Sequence, residues 1–301
     1  MANLKNEVKE ATQNNADETA VYMQQINDSF TAAIESDKKK KEHEQIMDAV
    51  LSAWLSLLFT NFNEDIYKAA QIGIDVADKQ LKDLGITEKV NETITADTFE
   101  EQVQSRITAV QNDLITVAQE IKSNSSKIFN DLSQTITKEQ RDKLSQELLD
   151  VLKKNGVTYF TDKAGRKWNI ETYIKMRTTT ELVQAQRVSF FTRATQFGVD
   201  LVRIKHLNLS PTCELCAPFE NKILSIGGLT PGYMTIQEAA IQGLFHPNCD
   251  HVPEDFELVK QPHEKKIRGY KRKMRQDGQI NLSEANKKRA EYNNKKNFKM
   301  F

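Results

Sequence analysis

The chain has 301 residues, 39% of them apolar and 28% charged, with 42 basic and 42 acidic side chains and a formal net charge of zero. This composition excludes a mostly disordered chain, a collagen-like repeat and a disulfide-dense miniprotein, and it leaves enough apolar side chains to bury a core. The charges are segregated: residues 1–152 hold 16 basic and 27 acidic residues (net −11), 153–260 hold 13 and 11 (net +2), and 261–301 hold 13 and 4 (net +9). An acidic body with a basic tail suits two different partners.

Met1 opens onto a polar stretch without an apolar leader, so no secretory signal is expected. The longest uncharged run, Ala49 to Asn63, is 15 residues long and includes Ser52, Ser56, Thr60 and Asn61. A membrane-spanning helix needs about 20 mostly apolar residues, so this run reads as a buried helix and no membrane partner is expected.

All six prolines lie at or after Pro211, and only five glycines precede it. Proline removes a helical donor and clashes with the preceding turn, so the first 210 residues read as mainly helical. Met23, Ile26, Phe30, Ala33 and Ile34 form one helical stripe. The charge run Lys38 to Lys41 separates it from a second, carried by Ile46, Val50, Trp54, Leu58 and Phe62, which extends to Leu84 and stops at Gly85. A third helix begins at Asp97 or Thr98, with Glu100 and Glu101 placed for a capping box. Its Val103, Ile107, Val110, Leu114, Val117, Ile121, Ile128 and Leu132 step by fours and threes, apart from one gap at Asn124 and Ser125. That seam favours pairing with another helix, in the same chain or in a partner. A fourth helix opens with Thr137-x-x-Gln140, carries Leu144, Leu148 and Leu152, and stops at Asn155-Gly156.

Two short β-like runs, 157–161 and 166–170, flank the turn sequence Asp162-Lys-Ala-Gly165 and read as a hairpin. A helix from about Glu171 to Phe197 follows, ending at Gly198, and Val199 to Lys205 alternates as a strand. Cys213-x-x-Cys216 comes next, and 30 positions later His246-Pro-Asn-Cys249-Asp-His251. A Cys-x-x-Cys turn puts two thiolates on one side of a tight loop, and a second short cluster completes a tetrahedral zinc site of four N/S ligands. Cys213, Cys216 and Cys249 supply three ligands, and either His246 or His251 supplies the fourth. A Cys213–Cys216 disulfide, a redox pair and unliganded thiols are the competing readings. A zinc deaminase fails on motif order, because its His-x-Glu must precede the Cys-x-x-Cys. A His-Asn-His-type nuclease built on His246, Asn248 and His251 lacks histidines for a separate hydrolytic metal.

Several of these blocks occur together in a known family. Thr212-Cys213-x-x-Cys216-x-x-Phe219-x-Asn221-Lys222-Ile223, followed by Gly243-Leu-Phe-His246-Pro247-Asn248-Cys249-x-His251, resembles the tailed-phage minor capsid protein 2 family and the related Mu-type F head-morphogenesis domain. Upstream, Gly156-Val-Thr-Tyr-Phe with Lys163-Ala-Gly-Arg-Lys-Trp168 resembles the family's hairpin, and Tyr173-x-x-Met176-Arg177-Thr178-x-x-Glu181 its Arg-Thr helix. The match spans about residues 155–258. Asn221 stands where the family usually has Gly, and Asp250 where it usually has Arg.

The resemblance implies a structural virion protein without catalysis, in the phage head and in the host cytoplasm during assembly. It implies a place near the portal, a role in head assembly or DNA delivery, and portal or major capsid subunits as partners. The alternative is a zinc-containing nucleic-acid-acting protein. The expected fold is mainly α: a helical arm or bundle over 1–152, an α+β module stapled by structural zinc over 153–260, and a basic helical tail over 261–301. In that tail Lys265, Lys266, Arg268, Lys271, Arg272, Lys273 and Arg275 suit contact with packaged DNA. The acidic arm repels DNA, so it is expected to contact protein, including a second copy of itself.

Overall fold

A computed structural model describes residues 2–34, 37–135, 159–162 and 164–257. The expected fourth helix over 137–152 and the whole basic tail lie outside these residues. Three long helices come first: α1 (Ala2–Ile34), α2 (Asp37–Asp83) and α3 (Ala96–Thr135). A hairpin of β1 (Tyr159–Thr161) and β2 (Lys167–Asn169) leads into α4 (Ile170–Gln196). Then follow β3 (Leu201–His206), β4 (Ile223–Ser225), α5 (Ile236–Ile241) and β5 (His251–Phe256). The mainly α reading holds, and no described helix is long and apolar enough to cross a membrane.

The chain packs as two compact units. Among the described residues, one is drawn from 7–67 and 103–181, the other from 2–6, 68–102 and 182–257. In the first, the apolar stripes of the sequence are core apart from the exposed Ile46: Met23, Ile26, Phe30 and Ala33 of α1, Val50, Trp54, Leu58 and Phe62 of α2, and Val103, Ile107, Val110, Leu114, Val117 and Ile121 of the α3 seam are buried. The seam is therefore covered within a single chain, while Ile128 beyond its gap is half-buried.

Two boundaries differ from expectation. Helix α1 starts at Ala2, well before the Met23 stripe, because Val8, Ala11, Ala16 and the polar Asn15 and Thr19 are buried on its first half. A polar layer satisfies these groups: Trp54 Nε1 donates to Thr19 Oγ1 (3.0 Å), Asn61 Nδ2 to Asn15 Oδ1 (2.8 Å), and Thr19 Oγ1 to the Asn15 carbonyl (2.7 Å). The charge run Lys38 to Lys41 lies inside the first turns of α2 and does not separate two helices. Lysine is a good helix former, so a short basic run does not stop a helix.

The gap in the α3 seam is also a polar layer. Ser125 is 1% exposed and lies 2.9 Å from His43 Nε2, and the His43 Nδ1 lies 2.7 Å from Ser29 Oγ. The Ser29 hydroxyl gives its proton to the Ile26 carbonyl (3.0 Å), so His43 Nδ1–H donates to Ser29 and Nε2 accepts from Ser125. Burial lowers the His43 pKa below the usual 6.5, against a smaller opposing effect of Glu44. The unfolded chain then binds a proton that the native ring refuses, so stability falls as pH drops below about 6.5 and is unaffected above it. Denaturant midpoints at pH 7.5 and 5 should show this loss in the wild type and a smaller one in His43→Gln.

The hairpin forms as read, with Phe160 opposite Trp168. Its turn is fixed by Asp162, whose Oδ1 accepts from the backbone N–H groups of Ala164 and Arg166 (both 2.9 Å), while Gly165 supplies a φ of +78°. On α4, the Arg-Thr stretch forms an ion network in the same unit: Arg177 pairs with Glu181 (3.0 Å) and Asp113 (3.3 Å), and the Tyr173 hydroxyl donates to Asp113.

In the second unit the sheet runs β4-β3-β5, all antiparallel, with β3 central. Pro253, which has no N–H to give, falls on edge strand β5 beside a register shift. The core gathers Leu81, Phe190, Ala194, Val202, Ile204, Leu224, Leu244 and Phe256, together with Cys216 and Cys249. Gly73 permits close helix approach, since a Cβ there would lie 2.4 Å from the Gln186 carbonyl oxygen.

Candidate metal centre

The Cys-x-x-Cys loop follows β3. The backbone N–H groups of Cys216 (3.1 Å) and Ala217 (3.0 Å) both donate to the Cys213 carbonyl, closing a tight turn that runs into a short 3₁₀ turn at Ala217–Phe219. The second ligand segment lies between α5 and β5. A capping box at Thr235 and Glu238 fixes the start of α5, and Gly243, at φ +116°, ends it. Phe245 (φ +65°) and Asn248 (φ +61°) then take left-handed conformations, and the Cys249 N–H donates to the His246 carbonyl (3.0 Å). Left-handed backbone is costly for an aromatic residue, and such strain concentrates at functional sites.

All five candidate ligands converge in this unit. Cys213 Sγ lies 2.8 Å from His246 Nε2, Cys216 Sγ 3.5 Å from Cys249 Sγ, and Cys249 Sγ 3.5 Å from His251 Nδ1. They form two triads that share Cys216: Cys213, Cys216 and His246, and Cys216, Cys249 and His251, with ligand atoms within 4.8 Å of one another in each. Zinc–sulfur and zinc–nitrogen bonds of about 2.3 and 2.0–2.1 Å place tetrahedral ligand atoms roughly 3.3–3.8 Å apart. The two 3.5 Å separations fall in that range, and the Cys213–His246 pair is closer. All three cysteines are free, which excludes the Cys213–Cys216 disulfide here. Thiolate and imidazole are the donors that suit zinc best. The His246 Nδ1 lies 2.7 Å from the Pro247 carbonyl, to which it donates. That bond leaves the Nε2 lone pair facing Cys213, the tautomer a ligand requires.

The electrostatics favour one thiolate, on Cys249. Cys249 is held far below the usual thiol range, first by the hydrogen bond from Cys216, then by the Arg187 charge and by His251. Cys216 is pushed up by the same bond and by burial, so one proton is shared between them. Burial opposes charge on His251, but the Cys249 thiolate, Glu220 and Asp250 together raise its pKa.

A second layer surrounds the ligands that the sequence did not single out. The β3–β5 register sets His206 opposite His251, and the two rings stack at 4.7 Å. His251 Nε2 lies 3.2 Å from Glu220 Oε1, which also accepts from Thr212 Oγ1 (2.5 Å). Arg187 of α4 reaches the same segment through the Cys249 and His251 carbonyls. It is 3% exposed, and it continues a buried stripe of Val183, Phe190 and Ala194 at helical spacing. That charge in an apolar stripe was the available signal. His206 and Glu220 carried no local signal, and Thr212 entered only as the first residue of the family motif.

A family model, phage minor capsid protein 2, matches residues 23–296. The chain belongs to the phage minor capsid protein 2 family. No curated protein and no solved structure matches it. The match extends to both sides of the 155–258 blocks. The two departures of this minor capsid protein now have physical accounts. Asn221 has a φ of +60°, a conformation that Gly adopts freely and Asn tolerates, so either residue serves the turn. Asp250 is buried: its Oδ2 accepts from the Leu209 (2.7 Å) and Ser210 (3.2 Å) N–H groups, and its Oδ1 lies 2.6 Å from His206 Nε2. It braces the loop between β3 and Cys213 and offers no surface charge.

Proposed function

We propose that this minor capsid protein is a structural component of the phage head near the portal vertex, acting in head assembly or DNA delivery, with one zinc ion stapling its sheet unit. The observation that carries the staple is the convergence of Cys213, Cys216 and Cys249 with His246 and His251 from segments about 30 residues apart. The segment between β3 and β5 forms only one short strand, a 3₁₀ turn and a six-residue helix, so it holds little core of its own. One bound metal contributes roughly 10 kcal/mol or more of apparent folding energy in such a module. Family membership supports the virion location.

In this reading the basic tail, with Lys265, Lys266, Arg268, Lys271, Arg272, Lys273 and Arg275, meets packaged DNA. The acidic body meets portal or capsid protein. Cross-linking of purified heads tests it. Cross-links from this chain to portal or adjacent major capsid subunits are expected, and heads that lack the chain would overturn the reading.

A further inference from the structure

Arg187 sits where one side chain reaches the whole downstream ligand segment. Its Nε donates to the His251 carbonyl (2.6 Å) and its Nη2 to the Cys249 carbonyl (2.5 Å), the two residues that flank Asp250. Its guanidinium lies 4.2 Å from the centre of the Phe245 ring, beside His246. The planar fork of an arginine makes both carbonyl bonds from one fixed plane, while its face stacks on the aromatic ring. A guanidinium stays charged at any physiological pH, and a charge that is 3% exposed needs an opposite charge nearby.

A divalent ion with three thiolates and one neutral imidazole carries a single net negative charge. We propose that Arg187 is the positioning and charge-balancing residue of the metal centre: it clamps residues 245–251 so that their ligands meet Cys213 and Cys216, and its cation offsets the charge of the loaded site. The single negative charge of the loaded cluster matches a cation already in place. The strained Phe245 backbone is held by the same contact. This inference rests on the metal reading above.

The test uses the full chain loaded with Zn²⁺ or Co²⁺, with Arg187→Met, which removes charge and donors, and Arg187→Lys, which keeps the charge and loses the fork. Competition with a chromophoric chelator should show metal affinity falling about 10–100-fold in Arg187→Met, as for other outer residues that orient ligands, and falling less in Arg187→Lys. The thiolate-to-cobalt charge-transfer band should change in Arg187→Met and stay near wild type in Arg187→Lys. An Arg187→Met chain with wild-type affinity and cobalt spectrum would overturn the proposal. If Arg187→Met does not fold, a folded Arg187→Lys with wild-type affinity overturns the clamp. Failure of the wild-type chain to bind metal sinks the underlying metal reading instead.

Discussion

On the proposed zinc staple, stripping metal from the intact chain should unfold the sheet unit. The gain of roughly 10 kcal/mol or more from a structural zinc equals or exceeds the whole stability of many domains, about 5–15 kcal/mol. The candidate ligands sit at both ends of the connection between β3 and β5: Cys213 and Cys216 follow β3, and Cys249 leads into β5. Releasing them frees the strands of a sheet that has only three strands. Cys216→Ser should reproduce the effect of a chelator, because Cys216 is 0% exposed and belongs to both triads. Hydrogen exchange at the β3 amides, before and after chelation, measures it. Protection of Val202 to Ile204 that survives complete metal removal would show that the sheet holds without a staple.

The second large effect concerns the α3 seam. Val110 and Leu114 are 0% exposed and Val117 is 2% exposed. Leu114→Ala should cost about 2–5 kcal/mol from lost burial and the cavity left behind. Aspartate at Val110, Leu114 and Val117 together places three unpaired charges in the core of the helical unit, which should not fold. The sequence alone allowed two outcomes, a folded variant that fails to enter particles or a variant that unfolds by itself. Since one chain covers the seam, unfolding is expected. A triple variant with a wild-type denaturation midpoint would contradict the observed packing. Any contact of this unit with portal, capsid or a second copy must then use other surfaces, such as the exposed Val21, Ile46 and Ile115.

These two sites mark what the sequence made legible. The seam and the ligand pairs were readable because their information is local: a period of three and four in one case, a spacing of three in the other. The hairpin and α4 were readable for the same reason, from an Asp-x-x-Gly turn and a Gly stop. The first half of α1 was not, because its buried face alternates Val8 and Ala11 with Asn15 and Thr19, and buried polar residues hide an apolar stripe. The start of α2 was hidden by lysines that read as a break. The supports of the metal centre were invisible because they come from distant segments: Arg187 lies 62 positions from Cys249, and Glu220 lies 31 from His251. Asn221 and Asp250, which looked like departures from the family pattern, became intelligible only from a backbone angle and a pair of loop N–H groups.

Metal content measured on the chain purified without added metal tests the central claim most directly. About one zinc per chain is expected, falling toward zero in Cys216→Ser, with His246→Ala and His251→Ala assigning the fourth ligand by which of them loses it. A folded wild-type chain with a stoichiometry near zero would contradict the account.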